Sequence, residues 1–406
     1  MAEGWASMTK IVGATALGLA ILPAIVAAVR QNPSQQPPTF RTSTEIVLID
    51  TQVVAKDGTP IQGLKADQFE VFIDGRRRPV VSAEFSRATE SSSDVGRRAI
   101  RPESPQARNG RIIVLAIDQA SFPSSARASA REAATRVVDR VAPEDYLGLI
   151  AFPGSIEIAP TRDRSPVREA LESVSGLRVE ALSSRFNLSA ADAVVLKSRE
   201  SVTTKEIIGR ECKDRLDPVC PQQVMQEGGA IADILEQQAI LAVAGIDGVL
   251  DAMTPLPGRK TLMLISAGLP MSNRSGGRLA LDAETTRIGR RAAAANVNLY
   301  VLYMNIHFLR YFSPEYGKKN SSIFDDISLF GYGLEKFADS GGGGFFQVEV
   351  DSDPFVDRAL RETSAAYVLA VRAEPEDHDG KDHFIRVAVK QKGATIRYRR
   401  IVTIPR

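Results

Sequence analysis

Cysteine and histidine are scarce in this chain. Its 406 residues include two cysteines and three histidines, which leaves little material for a zinc centre or for a nucleophile working beside an imidazole base. Cys212 and Cys220 lie in a polar stretch with no histidine nearby. They can close a small disulfide loop in an oxidising compartment, the alternative being two free thiols. His378 and His383 fall in or beside the charged segment Glu374–Asp382, which reads as a solvated hairpin loop, and His307 stands in a loop with Phe308, Tyr311 and Phe312. Excess charge of one sign is missing too. With 51 Lys and Arg against 49 Asp and Glu, the formal net charge is +2, so no global electrostatic grip on nucleic acid is implied. Short basic clusters such as Arg76-Arg77-Arg78 read as solvated faces. No phosphate-cradling loop is evident: the run Ser340-Gly341-Gly342-Gly343-Gly344 follows a helical pattern, precedes a strand pattern and is followed by no Lys, the wrong order for that motif. It reads as a flexible helix stop.

A long uncharged run is present. Ile11 to Val29 carries no charge, is bracketed by Lys10 and Arg30, and gives way to the polar stretch Gln31–Pro38. Such a run is long enough to cross a hydrocarbon core and also has the anatomy of a secretory signal peptide. Residues 1–41 are therefore expected to be a signal peptide or membrane anchor plus linker. The protein is expected to be secreted, periplasmic or associated with the cell envelope, touching membrane only through this segment.

Beyond it, residues 42–88 read as strands. Phe69, Val71 and Ile73 alternate with Glu70 and Phe72, and Asp74-Gly75 is a hairpin signal whose partner strand would be Arg77–Phe85. Residues 89–110, rich in Ser, Arg and Pro without hydrophobic periodicity, read as a linker. From 111 to 364 short apolar runs (Ile112–Ile117, Leu147–Phe152, Thr261–Ile265, Asn298–Tyr303, Gly344–Val348) alternate with amphipathic helical stretches. The polar insertion 178–228 interrupts them, with one helix expected over Ser189–Ser198. Strands return in 365–406. The fold class expected is α/β: a doubly wound, mostly parallel sheet flanked by a β-sandwich made from the N- and C-terminal strands.

The segments Ile113–Asp118, Asp145–Phe152, Gly258–Ser266 and Ala295–Val301, in that order, resemble the strands of von Willebrand factor type A domains. The flanking Val53–Gly58 and Tyr367–Thr403 are similar to a bacterial, Acidobacterial branch of exported type A-related proteins. The resemblance spans nearly everything from Thr44 to Arg406. It implies a binding protein whose ligand crevice lies at the carboxyl ends of the strands. It also implies a divalent cation (Mg²⁺ or Ca²⁺) held by an Asp-x-Ser-x-Ser loop, a Thr and a later Asp. Here Asp118 matches the first position, but Ala120 and Phe122 stand where the serines belong, and Ser266-Ala267-Gly268 where the late Asp is due. Ser121 and Ser189 are the nearest remaining hydroxyls. The resemblance thus implies an eroded metal site at Asp118, Ser121 and Ser189, with Asp118 left to cap a helix start, and no cofactor. The role expected is non-enzymatic binding of a protein partner, without nucleic acid. The alternative is a metal-dependent sensor or hydrolase using the Asp118 loop.

Overall fold

The computed structural model describes residues 46–87, 110–178, 185–213, 217–273, 280–306, 308 and 323–406, and Thr44–Arg406 form one compact unit. The expected export segment, nearly all of the expected linker and most of the loop around His307 lie outside the described residues. In chain order the strands are β1 (Ile46–Val54), β2 (Phe69–Ile73), β3 (Arg76–Arg78), β4 (Val80–Arg87), β5 (Ile112–Asp118), β6 (Tyr146–Phe152), β7 (Ile156–Thr161), β8 (Lys260–Ser266), β9 (Val297–Met304), β10 (Phe345–Val348), β11 (Ala365–Arg372), β12 (Asp382–Val389), β13 (Thr395–Tyr398) and β14 (Ile401–Thr403). The helices are α1 (Arg127–Arg140), α2 (Ser165–Leu171), α3 (Ala190–Ser198), α4 (Ser201–Glu211), α5 (Cys220–Met253), α6 (Leu281–Ala294), α7 (Ile323–Ser340) and α8 (Asp353–Glu362).

The chain is a mixed α/β protein. Its central six-stranded sheet has the order β10-β9-β8-β5-β6-β7, parallel from β10 to β6 and closed at one edge by antiparallel β7. β5 is buried throughout. Because successive side chains point to opposite faces, Ile113, Leu115 and Ile117 pack under α1, α2 and α8, while Val114 and Ala116 pack under α5, α6 and α7. β7 was not anticipated: its short, half-exposed run carries only a weak period-two signal, as suits an edge strand.

The strands at the two chain ends form two antiparallel four-stranded sheets, β13-β1-β11-β4 and β14-β12-β2-β3. They share one core that includes Ile49, Val71, Tyr367, Leu369 and Ile385. Asp74 and Gly75 both take positive φ (47° and 79°), the turn that suits a tight hairpin. The partner strand expected over Arg77–Phe85 is split, however. β3 pairs with β2, whereas β4 leaves for the other sheet and pairs with β11. Pro79 stands between them; it has no N–H to continue the ladder and marks the corner. Tyr367 ties the layers together: its ring packs on Phe69 and Phe85, and its hydroxyl accepts from Leu64 N and donates to Ile61 O, both at 3.0 Å.

The glycine run after α7 is not a flexible stop. Gly341 to Gly344 are all buried. A Cβ on Gly343 would sit 2.0 Å from Leu299 O, and one on Gly342 2.5 Å from Arg399 N. These glycines let the backbone press against β9 and the β13–β14 corner, a close approach that no larger residue permits.

At 34 residues, α5 is about 51 Å long at 1.5 Å per residue, far longer than the strands it covers. Its length and an 18-residue stretch of mean hydropathy 1.3 would suit a membrane span, yet Ala239, Val243, Ile246, Leu250 and Met253 are buried against the sheet. Its carboxyl end leads into the amino end of β8, and Gly245 meets the Phe152 ring at the carboxyl end of β6. The first half of α5 therefore projects past the carboxyl edge of the sheet. There it joins α3 and α4 in a helical cap with its own small core of Phe186, Leu196, Ile207 and Val224. The second of these two helices, α4, was not anticipated within the insertion.

Candidate functional site

β5 delivers Asp118 to the carboxyl edge of the sheet, and a tight turn, Gln119–Ser121, follows at once. Phe122 is fully buried, so the turn is pinned by the core beneath it. Gln119 bridges the neighbouring loops, its Nε2 donating to Pro153 O (2.8 Å) and its Oε1 accepting from Ser175 N (2.8 Å). Sequence reasoning passed over this residue because both partners are backbone groups contributed by distant segments.

Asp118 is 2% exposed. Its carboxylate makes no side-chain capping bond of good geometry with the turn, although the backbone N–H groups of Ser121 and Ala120 lie close enough to favour its charged form. The side chain instead leans toward β8, where Oδ2 accepts from Ser266 Oγ at 3.0 Å. Oδ1 has no hydrogen-bond partner among the described residues. Burial dominates its titration and pushes the carboxyl up to about 7, opposed in part by the hydroxyls of Ser266 and Ser121 and by nearby backbone N–H groups. Ser121 donates from Oγ to Asp118 O and accepts from Ala267 N, both at 2.8 Å. Ser266 Oγ also accepts from Gly268 N at 3.2 Å. Asp118, Ser121 and Ser266 thus stitch the end of β5 to the end of β8. Gly268 (φ 137°) completes the turn, where a Cβ would meet Phe330 at 2.6 Å.

Ser189 belongs elsewhere. It is the N-cap of α3, its Oγ accepting from Asp192 N (3.0 Å) while Asp192 Oδ2 accepts from Ser189 N (2.9 Å), the reciprocal arrangement of a capping box. Asp326, from the first turn of α7, accepts from Ala191 N at 2.8 Å. Burial pushes the Asp326 carboxyl up to about 6, against the pull of these α3 donors. Arg210 pairs with Asp192 at 2.7 Å and with Glu211 at 2.7 Å. No hydrogen bond joins Ser189 to Asp118 or Ser121 among the described residues. Of the three residues singled out from the sequence, Asp118 and Ser121 are hydrogen-bonded to one another, while Ser189 is engaged by Asp192 and Asp326.

A hard divalent cation needs an array of oxygen donors, usually octahedral for Mg²⁺. The Asp118 centre offers one carboxylate oxygen without a hydrogen-bond partner, beside hydroxyls already committed to backbone groups and, for Ser266, to the other carboxylate oxygen. Among the described residues no three His, Cys, Asp or Glu side chains gather as a metal-binding group. As arranged, these donors do not fit such an ion.

Cys212 at the end of α4 and Cys220 at the start of α5 are joined by a disulfide, eight residues apart. Closing a loop of that size constrains the unfolded cap by about 2.5 kcal/mol on a chain-entropy basis. The double variant Cys212→Ser/Cys220→Ser is expected to speed amide exchange through α4 and the first turns of α5 while leaving β5, β8 and β9 protected. Hydrogen exchange read by mass spectrometry checks this, and uniform loss of protection would contradict a locally braced cap.

One histidine departs from the sequence reading. His383 is buried rather than solvated, with Nδ1 2.7 Å from Asp74 Oδ2 and Nε2 3.2 Å from Asp379 Oδ1. Burial pulls its pKa down, but the two carboxylates outweigh it, and the net shift is upward. The local reading failed because Asp74 arrives from the β2–β3 turn, far away in sequence. His378 Nδ1 lies 3.0 Å from Pro405 O, and neither imidazole stands at the carboxyl edge of the sheet.

No protein-family model matches the chain, and no curated protein matches it.

Proposed function

We propose that this chain is an exported, non-enzymatic binding protein. In this reading the central sheet is the doubly wound scaffold of a von Willebrand factor type A-like domain. It holds a protein partner at the carboxyl edge and the helical cap, without a metal ion. The observation that carries the reading is the closed Asp118–Ser121–Ser266 network: where the resemblance implies an open cation site, the hydroxyls are spent on joining two strands. Recognition then falls to the surface above. There α4 presents Val202 (68% exposed) and α7 presents Phe324 (73% exposed); apolar groups left in water on a rigid scaffold suit a contact surface. Export agrees with the Cys212–Cys220 disulfide, a bond favoured in oxidising compartments.

The test places a photoreactive benzoylphenylalanine at Val202 or Phe324, and in parallel at Val81 or Phe384 on the sandwich, in intact cells. One adduct of the same mass from the first pair only is expected. Adducts confined to the sandwich positions would favour a structural envelope role, and none at any position would sink the proposal. Calorimetry with Mg²⁺ and Ca²⁺ is expected to give no saturable heat. Micromolar binding abolished by Asp118→Ala would revive the metal-dependent sensor or hydrolase.

A further inference from the structure

A cavity of about 460 Å³ opens at the opposite end of the central sheet, where the sandwich meets the segments entering β8 and β9. One wall is apolar, with Leu48 on β1, Val368 on β11 and Ile401 on β14; the other is polar, with Arg259, Arg399 and Asn296. Leu48, 57% exposed, and Ile46, 39% exposed, sit on the outward face of β1, so the cavity is fringed by apolar side chains in water.

The charges at the polar end are unequal. Arg399 is occupied, donating to Asn298 Oδ1 (3.0 Å) and Asp50 Oδ2 (3.1 Å). Lys260, buried beside it, donates from Nζ to the backbone oxygen of Leu256 at 2.6 Å. Arg259 makes no hydrogen bond or ion pair with any described residue. Burial holds its guanidinium below its ordinary value; Asp50 opposes this and Arg399 adds to it. Asn296 Oδ1 is buried and likewise has no partner. Two cations, Arg259 and Arg399, thus line the cavity with one carboxylate, Asp50, which Arg399 already engages, and the uncommitted donor is an arginine, whose planar fork is suited to bidentate contact with an oxyanion.

We infer that this cavity is a binding site for a small organic anion: a carboxylate or phosphate headgroup held by Arg259, on an apolar body lying against Leu48, Val368 and Ile401. The geometry divides the work between ends, with headgroup charge setting affinity at Arg259 and chain length setting it along the apolar wall.

Calorimetric titration of the full chain with octanoate, octyl phosphate and octanol tests it. Saturable one-to-one binding of at least one anion is expected, with octanol weaker by tenfold or more; the ratio of octanoate to octyl phosphate affinity tells which headgroup the site takes. Arg259→Met is expected to weaken anion binding by at least tenfold. Arg259 makes no hydrogen bond or ion pair with a described residue, so its removal breaks none, and Asp50, which favours its charge, keeps its bond from Arg399. Leu48→Glu, at an exposed position and independent of Arg259, is expected to weaken the anions more than octanol. No saturable anion binding, equal affinity for octanol, or anion affinity unchanged in both variants would overturn the inference.

Discussion

Asp118→Asn is expected to make the protein more stable above neutral pH, and to flatten its stability profile between pH 4 and pH 8. The Asp118 carboxyl moves from an ordinary 3.8 to about 7 on folding, chiefly because it is buried. Between those values the folded chain binds a proton that the unfolded chain has released, so stability falls as pH rises, and the loss is complete above about pH 7. A shift of this size corresponds to roughly 4 kcal/mol, at 1.36 kcal/mol per unit. Asn preserves an acceptor for Ser266 Oγ and carries no charge to desolvate. Urea unfolding should therefore show parent and variant nearly equal at pH 4, with the variant ahead by about 2–4 kcal/mol at pH 8. A variant less stable than its parent at pH 8, specifically when millimolar Mg²⁺ is present, would mean that the carboxylate serves an ion after all.

Asp377→Ala is expected to cost about 3–5 kcal/mol, the range for stripping one partner from a buried ion pair. Arg78 is 7% exposed and Asp377 5% exposed, and the guanidinium donates from both Nε and Nη2 to the carboxylate at 2.7 Å. The bond from Arg78 is the main reason the Asp377 carboxyl is held below its ordinary range. Its contribution is present above the ordinary carboxylate value and disappears as pH falls through the depressed folded value. Glu376 lies 3.2 Å from Arg78 but is largely exposed, so it relieves the stranded cation only in part. The double variant Arg78→Met/Asp377→Leu, which removes both charges, is expected to recover most of the loss. Chemical denaturation of the three chains reads this directly. A single-variant cost below about 1 kcal/mol would assign the work to Glu376 instead.

Much of the architecture was legible because it rests on local pattern. The continuous apolar run at Ile112–Ile117 and the alternation at Phe69–Ile73 announce a doubly covered strand and a singly covered one, and the structure pairs them accordingly. Legibility ended where partners come from afar. Asp118 is resolved by Ser266, 148 residues downstream, and His383 by Asp74, 309 residues upstream; no window of sequence contains either pair. β7 and α4 were missed for a different reason. Their half-exposed residues carry too few apolar positions to set a period against the surrounding polarity. Arg259 stood in plain sight within Gly258–Ser266, but its lack of a partner is a property of the folded surroundings alone.

The position of β1 bears on how the molecule would carry tension. β1 is not an edge strand: it runs between β11, paired over Ile46–Thr51, and β13, paired over Thr51–Val54. A pull on the chain ahead of Ile46 therefore enters along a strand held first by β11 and, from Thr51 onward, by β13. The ladders would share that load in shear along β1, so resistance to extension should rest with the sandwich before the central sheet is strained.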